Sequence, residues 1–84
     1  MITVTNRLGL HARPAALVVK AASGFESEIF LVKDQVRINA KSIMGVMMLA
    51  AEFGSQLEIV AEGPDAPAAV AAIEAVFASN FGEE

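Results

Sequence analysis

The sequence predicts an α+β fold: a four-stranded antiparallel sheet that carries three helices on one face, in the chain order βαββαβα. Three observations lead to this prediction. Short segments in which apolar and polar residues alternate are typical of strands, and longer segments with apolar residues three or four positions apart are typical of helices. Gly, Pro or Asp residues separate these segments. A sheet covered on one side buries all of these apolar faces in one layer of core.

The chain opens with the alternating segment Ile2–Thr5, which predicts a short strand. A helix is predicted over Ala12–Ser23, because Pro14 has a fixed φ and no N–H and therefore fits only the first turn of a helix. Gly24 fits the C-terminal end of this helix. Small apolar residues with helical spacing are expected to pack it on the sheet, namely Ala12, Ala15, Ala16 and Val19.

A hairpin is predicted next, with strands Glu28–Lys33 and Gln35–Ala40 and with Asp34 in the tight turn. The second of these strands places Val36, Ile38 and Ala40 on one face. A short helix then runs from Ser42 to about Leu49, and three of its residues can form a core stripe, namely Val46, Leu49 and Ala50.

Gly54 is expected to turn the chain into a fourth strand, Gln56–Glu62, whose inward residues are Leu57, Ile59 and Ala61. Asp65 is the predicted N-cap of the last helix, with Pro67 in the first turn. The apolar residues of this helix that are spaced to lie on the sheet are Val70, Ile73, Phe77 and Phe81.

Composition limits the class of protein. A chain of 84 residues with 55% hydrophobic residues predicts one domain over 1–84 with a single core. No apolar run has the length of a membrane span, and the first residues lack the pattern of a signal peptide, so a cytoplasmic protein is expected. There is no cysteine and no second histidine to complete a usual metal site, so no metal is expected. No cofactor is expected either.

Charge divides the chain into two halves. Residues 1–41 hold all six basic residues and three acids, whereas residues 42–84 hold seven acids, and the net charge is −4. An acidic chain without a basic stripe or aromatic run argues against nucleic acid as the ligand.

The histidine His11 lies where the first strand gives way to the first helix. The positive end of the helix macrodipole and the unsatisfied N–H groups of the first turn, at Ala12 and Arg13, would favour an oxyanion beside the imidazole. Arg13 opposes the macrodipole unless something negative compensates it, and its guanidinium suits phosphate oxygens. A structural histidine and a solvated arginine remain the alternatives from these residues alone, and Arg7 is treated as a minor contributor to the local potential.

The segment Gly9–Ala16, with His11, Arg13 and Pro14 in register, resembles the active-site segment of the HPr family, the histidine phosphocarriers of the bacterial phosphotransferase system. A second segment, Lys41–Met47, resembles the residues around the regulatory serine of that family. The resemblance covers essentially the whole chain and implies an open-faced β-sandwich. It also implies a monomeric carrier, not an independent enzyme, that accepts a phosphoryl group on His11 from enzyme I and passes it to EIIA-type acceptors for sugar uptake.

The resemblance also gives roles to the second helix. Its apolar residues beside the histidine would contact partners, so the predicted interface consists of Ala16, Lys20, Ile43, Met44 and Met47. The alternative is that Ile43, Met44 and Met47 all belong to the core. Ser42 is a preferred N-cap residue, and the resemblance implies that an HPr kinase/phosphorylase also phosphorylates it.

Two other functions stay open. The ending Val76–Glu84 is similar to carriers of the nitrogen branch. The chain could instead be a regulatory module that binds a transcription regulator or an enzyme, switched by Ser42 without phosphoryl transfer.

Overall fold

The computed structural model describes residues 1–82, and in this part of the chain the elements follow the predicted order. The strands are β1 (Ile2–Thr3), β2 (Glu28–Lys33), β3 (Val36–Asn39) and β4 (Gln56–Glu62). The helices are α1 (Ala12–Ser23), α2 (Ile43–Met48) and α3 (Ala66–Ala78), followed by a short 3-10 turn over Asn80–Gly82. The nitrogen-type ending can be followed only in part, because Glu83 and Glu84 lie outside the described residues.

The four strands form one antiparallel sheet in the order β1-β4-β2-β3. Ile29, Leu31 and Leu57 point to the helices and are fully buried, whereas their neighbours in sequence point to the open face. On that open face the Arg37 guanidinium lies 4.0 Å from the centre of the Phe30 ring. The predicted α+β open-faced fold is therefore confirmed.

The first and third strands are shorter than the predicted Ile2–Thr5 and Gln35–Ala40. The backbone of Val4 still follows the sheet edge, since its N–H donates to the Ser55 carbonyl at 2.8 Å and its carbonyl accepts from Gly54. Gln35 lies in the tight turn with Asp34 and not in the strand. Asp34 has a φ of +56°, the left-handed backbone that two-residue hairpin turns favour.

The core stripe predicted for α1 was wrong in part. The helix buries Pro14, Ala15, Val18 and Ala22. Ala12 and Ala16 are exposed, and Val19 is half-buried against the core. Alanines occur on every side of this helix, so their spacing could not fix which side faces the sheet.

The later helices show similar corrections. Ala50 is exposed and lies beyond the end of α2, with a φ of +52°, so it cannot continue the core stripe of Val46 and Leu49. In α3 the buried residue of the first turns is Ala69, and Val70 is half-buried. Phe81 is buried as predicted, but it lies after α3 and packs edge-on against Phe77.

Asp65 occupies the N-cap position of α3, but its carboxylate makes no capping bond to that helix. It accepts hydrogen bonds instead from the backbone N–H groups of Glu26, at 3.0 Å, and Ser27, at 2.9 Å, and from the Ser27 hydroxyl. The loop before α3 is thereby joined to the loop before β2.

Candidate functional site

His11 is the N-cap residue of α1, where the Pro14 argument predicts the helix to begin. Its backbone is extended, with φ −80° and ψ −171°, and its carbonyl accepts the first helical hydrogen bond from the Ala15 N–H at 3.0 Å. The side chain makes no capping bond to its own helix and is half-buried. The start of the helix is thus bordered by an imidazole that does not cap it.

The first turn of α1 presents donors beside this imidazole. The N–H groups of Ala12 and Arg13 precede the first helical hydrogen bond and have no acceptor within the helix, and Pro14 has no N–H. Arg13 is exposed, so its guanidinium is in contact with solvent on the same turn. Two amides, a cation and the positive end of a helix dipole suit an anion such as a phosphoryl group.

The loop before His11 is held by backbone contacts with the chain that follows α2. The Leu10 N–H donates to the Ala51 carbonyl at 2.9 Å, and the His11 N–H donates to the Gly9 carbonyl at 3.0 Å. The buried Asn6 side chain donates to the same Gly9 carbonyl at 2.8 Å. His11 is therefore connected to the C-terminal end of α2.

Ser42 is the N-cap of α2, as its residue type predicts. Its hydroxyl oxygen accepts a hydrogen bond from the Gly45 N–H at 3.0 Å, and its carbonyl accepts from the Val46 N–H at 2.9 Å. Ser42 is exposed, so its hydroxyl caps the helix at a surface position.

The side chains of α2 that the sequence leaves outside the core stripe are exposed. Ile43, Met44 and Met47 are 44%, 75% and 44% exposed, so the alternative that they are core is wrong. Met48 is 73% exposed and was missed, although its i, i+4 spacing from Met44 indicates the same side of the helix. We call Ile43, Met44, Met47 and Met48 the methionine patch.

Other exposed apolar side chains were also missed by the sequence analysis. Leu8 and Phe53 lie in the two loops that meet at the Leu10–Ala51 hydrogen bond. Their signal in the sequence was weak, because a single apolar residue in a loop has no periodicity.

The structure divides the predicted interface. Ala16 and Lys20 are exposed on α1, and α1 packs against α2. Lys20, however, also lines a groove of about 560 Å³ between α1 and the end of α3, together with Leu17, Ala21, Val76, Ser79, Phe81 and Gly82. Lys20 thus lies beside this groove as well as on the helix that packs against α2.

None of the helices in residues 1–82 is long and apolar enough to cross a bilayer.

Comparisons with known proteins agree with this geometry. Residues 1–79 match a family model described as the PTS HPr component phosphorylation site. The chain is 61% identical over 83 residues to the phosphocarrier protein HPr of Treponema pallidum, covering 99% of this chain and 94% of that protein.

A solved structure and a second kind of relative are also similar. A crystal structure of HPr from Thermoanaerobacter tengcongensis has a TM-score of 0.94 and 48% identity, covering 99% of this chain and 93% of that one. The HPr-like protein Crh of Bacillus subtilis is 48% identical over 64 residues, which is 76% of this chain and 75% of Crh.

Proposed function

The chain belongs to the HPr family of phosphocarriers of the phosphotransferase system, and from this premise we propose that it accepts a phosphoryl group on His11 from enzyme I. Enzyme I obtains this group from phosphoenolpyruvate. The carrier then passes it to EIIA-type acceptors that serve sugar uptake. The observation that carries the proposal is the position of His11 at the N-terminus of α1, with its side chain not used as a cap.

The transfer exchanges one phosphorus–nitrogen bond for another. A ring nitrogen of His11, Nδ1 in the proposal, attacks the phosphorus of the phosphohistidine on enzyme I. The P–N bond on the enzyme I side breaks, and its electron pair returns to that imidazole. Negative charge spreads over the equatorial phosphoryl oxygens, and the N–H groups of Ala12 and Arg13, which have no acceptor within the helix, would donate to these oxygens. The Arg13 guanidinium adds a positive charge that needs no change in protonation.

Labelling of His11 tests the proposal. The chain incubated with enzyme I and phosphoenolpyruvate, then analysed by mass spectrometry without acid, should carry one phosphoryl group on His11. His11→Ala should carry none, while Ser42→Ala should be labelled like the wild type. Labelling of His11→Ala at the wild-type level would contradict the assignment.

Arg13 is proposed to stabilise the transferring group, so its removal should slow the reaction without abolishing it. Arg13→Ala should reduce the transfer rate about ten- to a hundredfold, the usual effect of losing a hydrogen bond to a charged group. Arg13→Lys keeps the charge and should lose less, because an ammonium lacks only the fork geometry.

The methionine patch is the proposed docking surface, together with Ala16 and Lys20. Exposed methionines adapt to differently shaped partners, and a carrier has to dock first on a donor and then on an acceptor. The helix that carries this patch packs against α1, and the hydrogen bond between Leu10 and Ala51 joins the loop before His11 to the chain after α2.

Ser42 is proposed as a regulatory site for an HPr kinase/phosphorylase. Its hydroxyl is exposed at the N-terminus of α2, where a phosphate would interact favourably with the helix dipole. It would also add about −1.5 to −2 charges directly before the apolar methionine patch. Docking on enzyme I should weaken as a result.

A second candidate function is regulatory, and the similarity to Crh supports it, since a structure of that HPr-like protein is described as the catabolite repression HPr of Bacillus subtilis. The chain could act as a Ser42-switched module that binds a transcription regulator, with His11 dispensable. The labelling experiment separates the two functions, because this candidate expects no transfer to His11.

The sugar branch is proposed rather than the nitrogen branch, because the Lys41–Met47 segment resembles the residues around the regulatory serine of the family. Genes for an HPr kinase and sugar permeases nearby would support it, and a nitrogen-type enzyme I would contradict it. In either branch the carrier is proposed to work as a cytoplasmic monomer.

A further inference from the structure

Lys33, the last residue of β2, reaches from the sheet to the end of α2. Its ammonium nitrogen lies 3.3 Å from the Leu49 carbonyl oxygen and 3.2 Å from the Ala50 carbonyl oxygen. The last carbonyl oxygens of a helix accept no hydrogen bond from an N–H group of the same helix. A cation beside them also complements the negative end of the helix dipole. Lys33 therefore caps the C-terminus of α2 from a neighbouring element.

The turn that Lys33 holds is strained. Ala50 has a φ of +52°, a left-handed conformation that L-residues with a Cβ adopt rarely and at a cost in energy. Such a turn persists only if the surroundings hold it. The two hydrogen bonds from Lys33 bracket this residue, because they go to its own carbonyl and to the preceding one.

The next residue connects the turn to His11. Ala51 accepts the Leu10 N–H at 2.9 Å, and Leu10 directly precedes His11. The backbone at Gly9 also packs closely against Ala51, because a Cβ built on Gly9 would lie 2.5 Å from the Ala51 carbonyl oxygen. A shift of the turn after α2 would therefore move the backbone that presents the imidazole.

We propose that Lys33 is a positioning residue for phosphoryl transfer, which acts by fixing the Ala50–Ala51 turn against which the His11 loop is set. This role rests on the proposed function of His11. Lys33 does not touch the transferring group, so its loss should lower kcat with saturating phospho-enzyme I and leave KM nearly unchanged.

The test compares Lys33→Met with two other variants. Lys33→Met keeps the aliphatic stem and removes the ammonium, whereas Lys33→Arg can still donate to both carbonyls. Arg37→Met is the matched control, since it also removes one positive charge from the same hairpin. The contact it loses, with Phe30, lies on the open face of the sheet.

Two measurements are made on each variant. In Lys33→Met, kcat should fall about 3- to 30-fold, the size of effect typical of substitutions that modulate the coupling between two sites without touching either ligand. The Leu10 amide should exchange its hydrogen faster by a similar factor, while the Ala40 amide, bonded to the Ile29 carbonyl within the sheet, should change little. Lys33→Arg should restore most of both quantities, and Arg37→Met should resemble the wild type.

Each other result overturns the inference. An unchanged kcat in Lys33→Met, with the wild type active, removes the positioning role and leaves the proposed function intact. Equal acceleration at Leu10 and Ala40 shows only a general loss of stability. If the wild type accepts no phosphoryl group at all, the proposed function fails and this role fails with it.

Discussion

Gly9, two residues before His11, has a positive φ and leaves no room for a Cβ. Its φ is +69°, which favours glycine, and a Cβ there would also lie 3.0 Å from the Glu52 Cα atom. Both facts come from the tertiary structure, in which the loop before α1 touches the chain after α2. The sequence could place His11 at a helix start from Pro14, but it could not show what the preceding glycine contacts.

We predict that Gly9→Ala impairs both folding and transfer. The added Cβ meets backbone atoms, which cannot rotate away, so the loop that carries His11 must shift. Stability should fall by about 1–3 kcal/mol, the usual cost of an imposed strained backbone conformation, and the transfer rate should fall with it. Urea unfolding and phosphoryl transfer assays measure the two effects.

Gly54→Ala is the matched control for this substitution. Gly54 also has a positive φ, +89°, but nothing lies within 4 Å of a Cβ built there. This variant should lose some stability and keep the wild-type transfer rate. Equal transfer rates in Gly9→Ala and the wild type would show that the contact with Ala51 does not matter for His11.

At the scale of elements, α2 combines a structural cap with a proposed regulatory site at Ser42, and two substitutions separate these roles. Ser42→Ala removes the hydrogen bond from the Gly45 N–H and should cost about 1 kcal/mol of stability with little change in KM for phospho-enzyme I. Ser42→Asp keeps a good cap and should stay near wild-type stability, but its KM should rise because its charge precedes the methionine patch.

Stability from urea unfolding and KM from transfer kinetics should therefore change in different variants. If Ser42→Asp docks on enzyme I as tightly as Ser42→Ala does, a charge at this position does not regulate docking.

The bounds of the elements were more predictable than their faces. The bounds of α1, β2 and β4 agree with the prediction, because Pro14 and Gly24 limit the helix and alternation defines the strands. The buried side of α1 was not predictable, since Ala15 and Ala16 are chemically identical and only the packed fold distinguishes them. The exposure of Met47 and Met48 was ambiguous for a different reason, namely that methionine suits both core and surface.

At the scale of the whole molecule, Asp65 joins two loops that are 38 residues apart in sequence. Gly63 allows this approach, because a Cβ there would lie 2.6 Å from the Ser27 hydroxyl oxygen. The Ser27 hydroxyl, followed by the backbone N–H of Glu26, lowers the pKa of the Asp65 carboxyl, although burial opposes this shift. The sequence indicated only a helix cap at Asp65, because its partners come from a distant segment.

The lowered pKa gives a direction for the pH dependence of stability. The carboxylate contributes at pH values above the pKa it has in the unfolded chain, about 3.9, and its contribution is lost as the pH falls through the lower folded value. The free energy of unfolding from urea titrations should therefore decrease below about pH 4. Asp65→Asn should be less stable than the wild type at pH 7, and the difference should shrink on acidification.

Glu58→Gln, at an exposed position of β4, serves as the comparison and should keep the acid dependence of the wild type. A constant difference between Asp65→Asn and the wild type from pH 7 to pH 3 would rule out the Asp65 contribution.

The absence of an N–H at Pro14 bears on how strongly the first turn of α1 would bind a phosphoryl group. A phosphoryl group on His11 would have three terminal oxygens, and the backbone donors in the first turn of α1 are the N–H groups of Ala12 and Arg13. A residue other than proline at position 14 would add a third. In the proposed function, fewer donors would stabilise the phosphorylated form less and so favour transfer of the group to an acceptor. Weak binding of the phosphoryl group would suit a carrier, because a carrier has to release the group to an acceptor as well as accept it.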